Sequence, residues 1–375
     1  MINEVIASAP GKIIWIGNYA VLERGTHGFI TSIDKRVYAK ATEIATTLAP
    51  KVHILSPQLG LNEKGTCTNG KIDIETPLAK FVKTAIEITL RYLEFKKIKL
   101  KGIALETYSD PAFSITGGKS GLGSSAAVTV ATVAAVLSLH GVDIEKEKNT
   151  LHKLAQYAHC TSQGKVGSGF DVATSTFGAI EYSRFSPELI TQSLETVIDR
   201  EWDYTAKPLT LPSVFTAVIA NIPNTSTSTT QMVASVKKYK DKNPVEYSAL
   251  IEKLDKSNRS ALKALKSLKS EGTETVNEFR TAFEYSRSLV RELGEKSGTE
   301  IEPENLGEMI EKSKLHGAFI ALLPGAGGGD SIVALCLSQR DASRLREFWT
   351  SQGFQVLNAT TSNTGVKIEK ELPLN

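Results

Sequence analysis

The sequence is poor in cysteine, and the three cysteines that it has lie far apart. Cys67, Cys160 and Cys336 form no CxxC pair and no cysteine and histidine set with zinc spacing. Neither a disulfide framework nor a zinc knuckle is therefore expected. An excess of one charge is also lacking, because 44 Lys and Arg residues face 41 Asp and Glu residues. With no basic tail or block, the sequence disfavours nucleic acid as a partner.

Long hydrophobic runs are absent as well. The most apolar long segment, Ala126 to Leu139, is too short and too rich in Ala and Thr to span a bilayer. The first residues, MINEVIASAPGK, lack the basic and apolar regions of a signal peptide. The sequence therefore predicts a cytoplasmic, soluble protein with no membrane partner.

A chain of 375 residues is too long to fold around one ordinary hydrophobic core, and its length predicts about two domains. The composition shifts over Ser186 to Leu211, which holds two prolines among residues of mixed polarity. Helical and strand patterns are mixed on both sides of this segment. We therefore predict an α+β protein with one domain at residues 1–190 and a second at residues 191–375.

Strand and helix patterns follow one another along both halves. In the first half, strands are predicted at KIIWIG, RVYAKATEI, IKLKGIALETYSD and FGAIEYSRF, and helices over PLAKFVKTAIEITLRYLEF, after GLGSSAA, and from Ile144 to Thr161. In the second half, long charged helices are predicted between Pro244 and Lys296, and strands at VFTAVIANI, GAFIALLPG, SIVALCL, GFQVLNA and GVKIEK.

The segment SGLGSSAA, from Ser120 to Ala127, opens an apolar helix. Small residues let a ligand approach the backbone, and a helix start offers unpaired N–H groups and a positive dipole end. The segment therefore predicts a phosphate cradle whose serine hydroxyls reach a phosphate or a magnesium ion; its residues are Ser120, Gly121, Leu122, Gly123, Ser124, Ser125 and Ala126. The alternative is a glycine-rich helix entry with a serine N-cap.

Two better-known nucleotide motifs fit this region less well. The nearby GGKS lacks the first glycine of a P-loop, because residue 113 is Phe. GLGSSA matches the residue pattern of a dinucleotide-binding fingerprint. However, no series of βαβ units with an acidic residue at the expected distance follows it. A dehydrogenase remains an alternative that NAD binding would test.

Three further segments carry candidate chemistry. GAGGGDS, from Gly325 to Ser331, has more glycine than a hairpin needs, which indicates close approach to a ligand or another loop; the alternative is an elaborate hairpin. SAPGK places Lys12 at the mouth of an apolar strand, where it points into a cleft or is a solvated edge lysine. HCTSQGKVGSGFDVATSTFG brings Lys165 and Asp171 together, and Asp171 is a catalytic candidate or a helix N-cap.

In this order and spacing, APGKIIWIGNYAVL, GLGSSAA and PGAGGGDS resemble the motifs of the GHMP kinases, the superfamily of galactokinase, homoserine kinase, mevalonate kinase and phosphomevalonate kinase. The resemblance covers about Ala9 to Leu337. Within the superfamily, AHCTSQGKVGSGFDVATSTFGAIEYSRFSP, GGGD, GNYAVL and TSTSTTQMVASVKKY are similar to the eukaryotic-type phosphomevalonate kinase branch. The resemblance implies a two-domain α+β fold with its active site in the cleft between the domains.

The resemblance also implies a reaction and its residues. ATP would phosphorylate (R)-5-phosphomevalonate to 5-diphosphomevalonate, with Mg²⁺ as cofactor. Lys12 and Asp171 would be catalytic, and Ser125 would bind the metal. Because the attacking oxygen of a phosphate acceptor is mostly anionic at neutral pH, we expect Asp171 to pair with Lys12 rather than to act as a base. The substrate would be held by Lys165, Gly325, Ala326, Gly327, Gly328 and Ser331, and Lys119 is a weaker phosphate candidate.

One position departs from the mevalonate kinase pattern, in which a Glu eleven residues before the catalytic Asp contributes to magnesium binding. Counting back from Asp171 gives Cys160, preceded by His159. Direct carboxylate ligation of magnesium at this position is therefore not expected, and Ser125, phosphates and water would have to suffice. The remaining alternatives are a mevalonate kinase or other mevalonate-type GHMP kinase, and a GHMP-fold protein that binds a ligand without catalysis.

Overall fold

The structure is a computed structural model that describes residues 3–45, 49–115, 118–119, 121–223, 229–268 and 273–373. Its strands are β1 (Glu4–Ile16), β2 (Gly28–Ile44), β3 (Lys51–Ser56), β4 (Leu61–Thr68), β5 (Lys71–Ile72), β6 (Gly102–Ser109), β7 (Ser114–Ile115), β8 (Gly118–Lys119), β9 (Ile180–Ser183), β10 (Thr205–Pro208), β11 (Thr216–Asn221), β12 (Ile320–Leu322), β13 (Ser331–Cys336), β14 (Gln355–Val356), β15 (Thr361–Ser362) and β16 (Lys367–Glu369).

The helices are α1 (Lys80–Phe95), α2 (Ser124–Leu139), α3 (Lys148–Gln163), α4 (Phe170–Phe177), α5 (Glu188–Thr191), α6 (Leu194–Val197), α7 (Thr229–Lys242), α8 (Pro244–Ser267), α9 (Thr273–Ser297), α10 (Glu304–Leu315) and α11 (Gln339–Ser351). Short 3₁₀ turns cover Asn18–Leu22, Pro57–Leu59, Pro77–Ala79 and Pro111–Phe113. No helix within these described ranges is long and apolar enough to cross a membrane.

The larger sheet is built around β2. Its strand order is β10-β9-β2-β6-β3-β4-β5, and β1 pairs antiparallel with β2 along most of its length. The Ile, Trp and Val side chains of β1 are buried, as expected for a strand covered on both faces. Helix α2 packs against β1 and β2 and is buried along nearly its whole length, which follows from apolar residues on all its sides.

The smaller sheet has the order β12-β13-β11-β14, with antiparallel pairs throughout. Helices α10 and α11 contribute Ile310, Leu345 and Trp349 to the apolar cluster on one side of it. The long helices α8 and α9 pack against each other, and their apolar faces join the core that begins under the larger sheet. The mixed content confirms the predicted α+β class.

The end of the chain returns to the larger sheet. Strand β16 pairs antiparallel with β1, with Ala7 opposite Ile368, and β15 pairs with β2. Strand β10, which follows the predicted boundary at residue 190, pairs with β9. The larger sheet therefore contains strands from both sides of that boundary, and the division into residues 1–190 and 191–375 stays a prediction.

Candidate active site

Strand β1 brings Lys12 against the loop that precedes α2. The β1–β2 register shifts between Pro10 and Lys12, as at a β-bulge, which redirects the Lys12 side chain. Gly11 is required there, because a Cβ atom would lie 2.9 Å from the Leu122 carbonyl oxygen and from the Phe113 ring. The Lys12 amide donates to that same Leu122 carbonyl at 2.9 Å. The APGK segment is thus shaped around the glycine-rich loop.

The Lys12 ammonium is enclosed and close to negative charge. The residue is 8% exposed, and its Nζ donates to the Gly121 carbonyl at 2.7 Å. Burial lowers the pKa of Lys12, while the carboxylates of Asp171 and Asp330 raise it. Within the described ranges, no ion pair of 4.0 Å or less joins Lys12 to Asp171. The predicted pairing is therefore an electrostatic attraction across the site rather than a contact.

The glycine-rich loop ends at the start of α2. Gly123 is the N-cap, in the left-handed region with φ 83°, and no side chain caps the helix, so the alternative of a serine N-cap is wrong. The Ala127 amide donates to the Gly123 carbonyl at 3.1 Å. The preceding amides of Ser124, Ser125 and Ala126 have no partner within the helix, as in any first turn. This is the geometry of an anion site, although its role in this chain stays a prediction.

The same loop connects Lys12 to the glycine-rich turn before β13. A Cβ at Gly123 would lie 3.1 Å from Cε of Lys12, and one at Gly121 would lie 3.0 Å from Oγ of Ser331. Leu122 is buried between them. Ser120 lies outside the described residues, and so does the side chain of Lys119. The glycine-rich loop before α2 is thus close both to Lys12 and to the glycine-rich turn that ends at Ser331.

Asp171 lies in the first turn of α4. The N-cap of this helix is Gly169, so the alternative that Asp171 is the cap is wrong. The Gly169 carbonyl accepts a hydrogen bond from Nε2 of Gln156 at 2.7 Å, and Oγ of Ser175 donates to the Pro10 carbonyl at 2.8 Å. Helix α4 is thereby attached both to α3 and to the strand that carries Lys12.

His159, on α3, reaches the glycine-rich loop and was not a predicted site residue. Its Nε2 lies 3.2 Å from Oγ of Ser125, and its ring stacks on Phe81. Burial lowers the pKa of His159, the Asp171 carboxylate raises it, and the Lys165 ammonium lowers it. The ring is therefore neutral near pH 7.

The next residue on α3, Cys160, faces the other way. It packs with Phe185, Val197 and Trp202 in an apolar cluster, where burial raises the pKa of its thiol to about 11. Cys160 is therefore part of the core, and His159 is the residue of this helix turn that faces the site.

Lys165 is exposed and contacts the second half of the chain. Its Nζ donates to Oγ1 of Thr230 at 3.1 Å, at the beginning of α7. Thr230 belongs to the Ser/Thr-rich segment TSTSTTQMVASVKKY, of which residues 225–228 lie outside the described ranges. The contact indicates that this lysine and this helix entry serve one region, although Thr230 was not itself predicted as a site residue.

The turn from Gly325 to Ser331 connects β12 to β13 as a hairpin does, but it is also attached elsewhere. A Cβ at Gly327 would lie 2.1 Å from the Ile301 carbonyl oxygen, to which the Gly328 amide donates at 2.9 Å. The Ala326 carbonyl accepts from the Tyr19 hydroxyl at 2.9 Å. Close backbone approach thus explains Gly327, and positive φ angles favour glycine at Gly325, Gly328 and Gly329. The assignment of this turn to the acceptor side stays a prediction.

Comparisons with known proteins agree with the motifs. The GHMP kinases N terminal domain model matches residues 80–179, and the GHMP kinases C terminal model matches residues 261–355. The phosphomevalonate kinase of Saccharolobus solfataricus is 30% identical, over 96% of this chain and 98% of its own. The peroxisomal phosphomevalonate kinase of Arabidopsis thaliana is 27% identical, over 98% and 97%. The mevalonate kinase of Pyrococcus horikoshii is 27% identical, over 99% of both.

Solved structures share the fold over almost the entire chain. The Lin0012 protein from Listeria innocua has a TM-score of 0.85 at 23% identity, covering 98% of this chain and 100% of that one. Streptococcus pneumoniae phosphomevalonate kinase in complex with phosphomevalonate and AMPPNP has a TM-score of 0.76 at 22% identity, covering 96% and 100%. These likenesses confirm the predicted fold. Together with the family models and the nearly full-length relative at 30% identity, they show that the chain belongs to the GHMP kinases.

Proposed function

We propose that the protein is a phosphomevalonate kinase, which transfers the γ-phosphoryl group of ATP to (R)-5-phosphomevalonate and releases ADP and 5-diphosphomevalonate. The observation that carries this proposal is the set of relatives named phosphomevalonate kinase. They come from an archaeon, a plant and a yeast, are 27–30% identical, and match 89–98% of this chain. In the reaction, an oxygen of the acceptor phosphate bonds to the γ-phosphorus while the bond to the bridging oxygen of ADP breaks.

Positioning and charge neutralisation are the main requirements of phosphoryl transfer. The first-turn amides of α2, at Ser124, Ser125 and Ala126, would hold the ATP phosphates. The Lys12 ammonium would lie where the acceptor and the γ-phosphate meet. Its hydrogen bond to the Gly121 carbonyl and its enclosed position mean that little reorganisation is needed when charge moves onto the transferred group.

Asp171 has a different task in this proposal from that of a general base. A phosphate monoester has a second pKa of about 6, so the attacking oxygen is already mostly anionic at pH 7. Asp171 interacts electrostatically with Lys12 and raises the pKa of that lysine against the effect of burial. Its role is therefore to keep Lys12 charged, and the proton of the acceptor needs no protein base.

The residues present fit a magnesium ion that travels with the nucleotide. Within the described part of the chain, no three His, Cys, Asp or Glu side chains are grouped as a metal site. Ser125 Oγ is a hard oxygen donor at the mouth of the phosphate loop, and Mg²⁺ retains waters and phosphate oxygens in such sites. When bound, the ion would neutralise charge on the β- and γ-phosphates. Ser125 and the nucleotide would hold it.

The acceptor side would be closed by Lys165 and the glycine-rich turn. Lys165 lies within hydrogen-bond distance of Thr230, so its ammonium and the entry of α7 line the same opening. An exposed cation suits the phosphate of the second substrate, which it would bind by charge-assisted hydrogen bonds. The location that we propose is cytoplasmic, although the Arabidopsis relative is named peroxisomal; fluorescent tagging would check this part.

The experiment that tests the proposal compares acceptors. Purified protein with Mg²⁺ and ATP is given 5-phosphomevalonate or mevalonate, and ADP release is followed in a coupled assay. We expect turnover with 5-phosphomevalonate and far less with mevalonate. The second candidate, a mevalonate kinase, is favoured by the P. horikoshii relative, and preferential turnover of mevalonate would establish it instead. Removal of Mg²⁺ with a chelator should abolish either activity.

A further inference from the structure

The contact between His159 and Ser125 links α3 to the start of α2. His159 is 4% exposed, and its Nε2 lies 3.2 Å from Oγ of Ser125. The ring is fixed by stacking on Phe81, with the ring centres 5.5 Å apart. The imidazole therefore combines a packing contact with a polar contact to the phosphate loop, whereas its neighbour Cys160 packs in the apolar cluster on the other side.

We infer that His159 accepts the hydrogen of the Ser125 hydroxyl and so directs the oxygen lone pairs of Ser125 toward the metal–nucleotide complex. His159 is then a positioning residue that acts through Ser125. The inference rests on the proposed function, because it takes Ser125 as the hydroxyl that meets the metal.

The carbonyls that precede Ser125 in the chain are engaged by Lys12. Inside a helix, a serine can donate to a carbonyl three or four residues earlier. For Ser125 these carbonyls belong to Leu122 and Gly121. The first accepts from the amide of Lys12 at 2.9 Å, and the second accepts from its Nζ at 2.7 Å. Each of these carbonyls therefore already has a donor, and the contact that the Ser125 hydroxyl makes is with the imidazole nitrogen of His159 instead.

The direction of the hydrogen bond decides what Ser125 can offer. A hydroxyl has one hydrogen and two lone pairs. If the His159 proton is on Nδ1, Nε2 accepts the serine hydrogen and both lone pairs of Oγ stay free for a cation. If the proton is on Nε2, the ring donates to Oγ and occupies one lone pair. The first tautomer leaves both lone pairs of Oγ for a metal and the second leaves one, and partners outside the first coordination shell commonly fix ligands in this way.

Gln163 offers a matched control. It lies one helical turn after His159, and its Nε2 is also 3.2 Å from the same imidazole nitrogen. Gln163 is half-buried at the last residue of α3, where water can satisfy its amide. Gln163→Met removes this competing contact and leaves the bond from Ser125 in place. It should therefore not weaken nucleotide binding.

Binding of AMPPNP by isothermal titration calorimetry, with and without Mg²⁺, tests the inference without any turnover. His159→Phe keeps the stacked ring but has no acceptor, and should weaken binding in Mg²⁺ about tenfold. Its affinity for metal-free AMPPNP should change less than about twofold. His159→Gln places an amide near the same position and should recover most of the loss. Gln163→Met should bind AMPPNP at least as tightly as the unaltered protein in both conditions.

Two further measurements separate the possible failures. Ser125→Ala should weaken binding in Mg²⁺ as His159→Phe does; if it changes nothing, the proposed role of Ser125 fails and this inference fails with it. If Ser125→Ala weakens binding and His159→Phe does not, the inference alone is wrong. Nitrogen-15 NMR of histidine-labelled, unaltered protein should show His159 protonated on Nδ1, and a proton on Nε2 would overturn the inference even if a variant fails to fold.

Discussion

Replacing Lys12 by Met is the most informative single change at the site. The ammonium is 8% exposed and donates to the Gly121 carbonyl at 2.7 Å. Removing one preorganised charge-stabilising group from such a site costs about 10²–10³ in kcat, or about 3–4 kcal/mol. Because the charge matters most while the phosphoryl group moves, the loss should appear in kcat, with the KM for ATP changed less than about threefold.

The same change should leave the fold nearly as stable. Met fills the space of the lysine stem beside Gly123, and it removes the desolvation that lowers the pKa of Lys12. The Gly121 carbonyl loses a donor, which costs about 1 kcal/mol. These effects oppose each other, so the free energy of unfolding should change by no more than about 1 kcal/mol.

Steady-state ADP release and urea denaturation measure the two effects. The matched control is Lys40→Met on β2, a strand lysine that pairs with Glu4 away from the loop; its kcat should stay within about twofold, since surface ion pairs contribute little. The reasoning is refuted if Lys12→Met keeps its kcat and raises only KM, because the lysine would then bind substrate and transition state equally.

Four other changes follow from the same geometry. Asp171→Asn should retain measurable activity, and its rate should still rise with pH near about 6, where the acceptor phosphate ionises; complete loss of turnover with normal substrate binding would make Asp171 a base. Lys165→Met should mainly raise the KM for 5-phosphomevalonate, and an effect on ATP alone would contradict its assignment. Gly327→Ala should destabilise the turn by more than about 1 kcal/mol, because its Cβ would lie 2.1 Å from the Ile301 carbonyl oxygen at a positive φ; an unchanged melting temperature would contradict this. Burial lowers the pKa of His152 from 6.5 to about 3, so below pH 6.5 the unfolded chain takes up a proton that the folded chain does not. As the pH is lowered from 6.5 to 3, the free energy of unfolding should therefore fall by up to about 1.4 kcal/mol per pH unit. In urea titrations at a series of pH values, His152→Leu should reduce that slope.

The sequence predicted most elements because their patterns are local. The apolar run after GLGSSAA lies on all sides of a helix, and α2 is accordingly buried. Alternation in RVYAKATEI predicted part of β2, and the charged helices between Pro244 and Lys296 are α8 and α9. Local patterns do not indicate which strands pair when the two strands lie far apart in the sequence. The strand within GVKIEK was predicted, but its partner, β1, lies more than 350 residues earlier in the chain.

The parts of the candidate site that were predicted from the sequence are mainly its glycine-rich segments. Glycine-rich segments are recognisable because tight backbone approach requires them, as at Gly11 and Gly327. His159 was not predicted as a site residue because adjacent positions on a helix can face the core and the site. The orientation of α3 about its own axis, which the sequence does not show, directs Cys160 into the core and His159 toward Ser125. The Ser/Thr-rich segment that contains Thr230 was recognised, but its contact with Lys165 was not predicted, because the two residues lie 65 positions apart.

The identity of the phosphorylated product tests the central claim most directly. Phosphorus-31 NMR of a reaction containing the protein, MgATP and 5-phosphomevalonate should show the monoester resonance of the substrate replaced by two coupled diphosphate resonances, in step with formation of ADP. The account is contradicted if the 5-phosphomevalonate resonance persists while the same protein converts mevalonate to a new phosphate monoester.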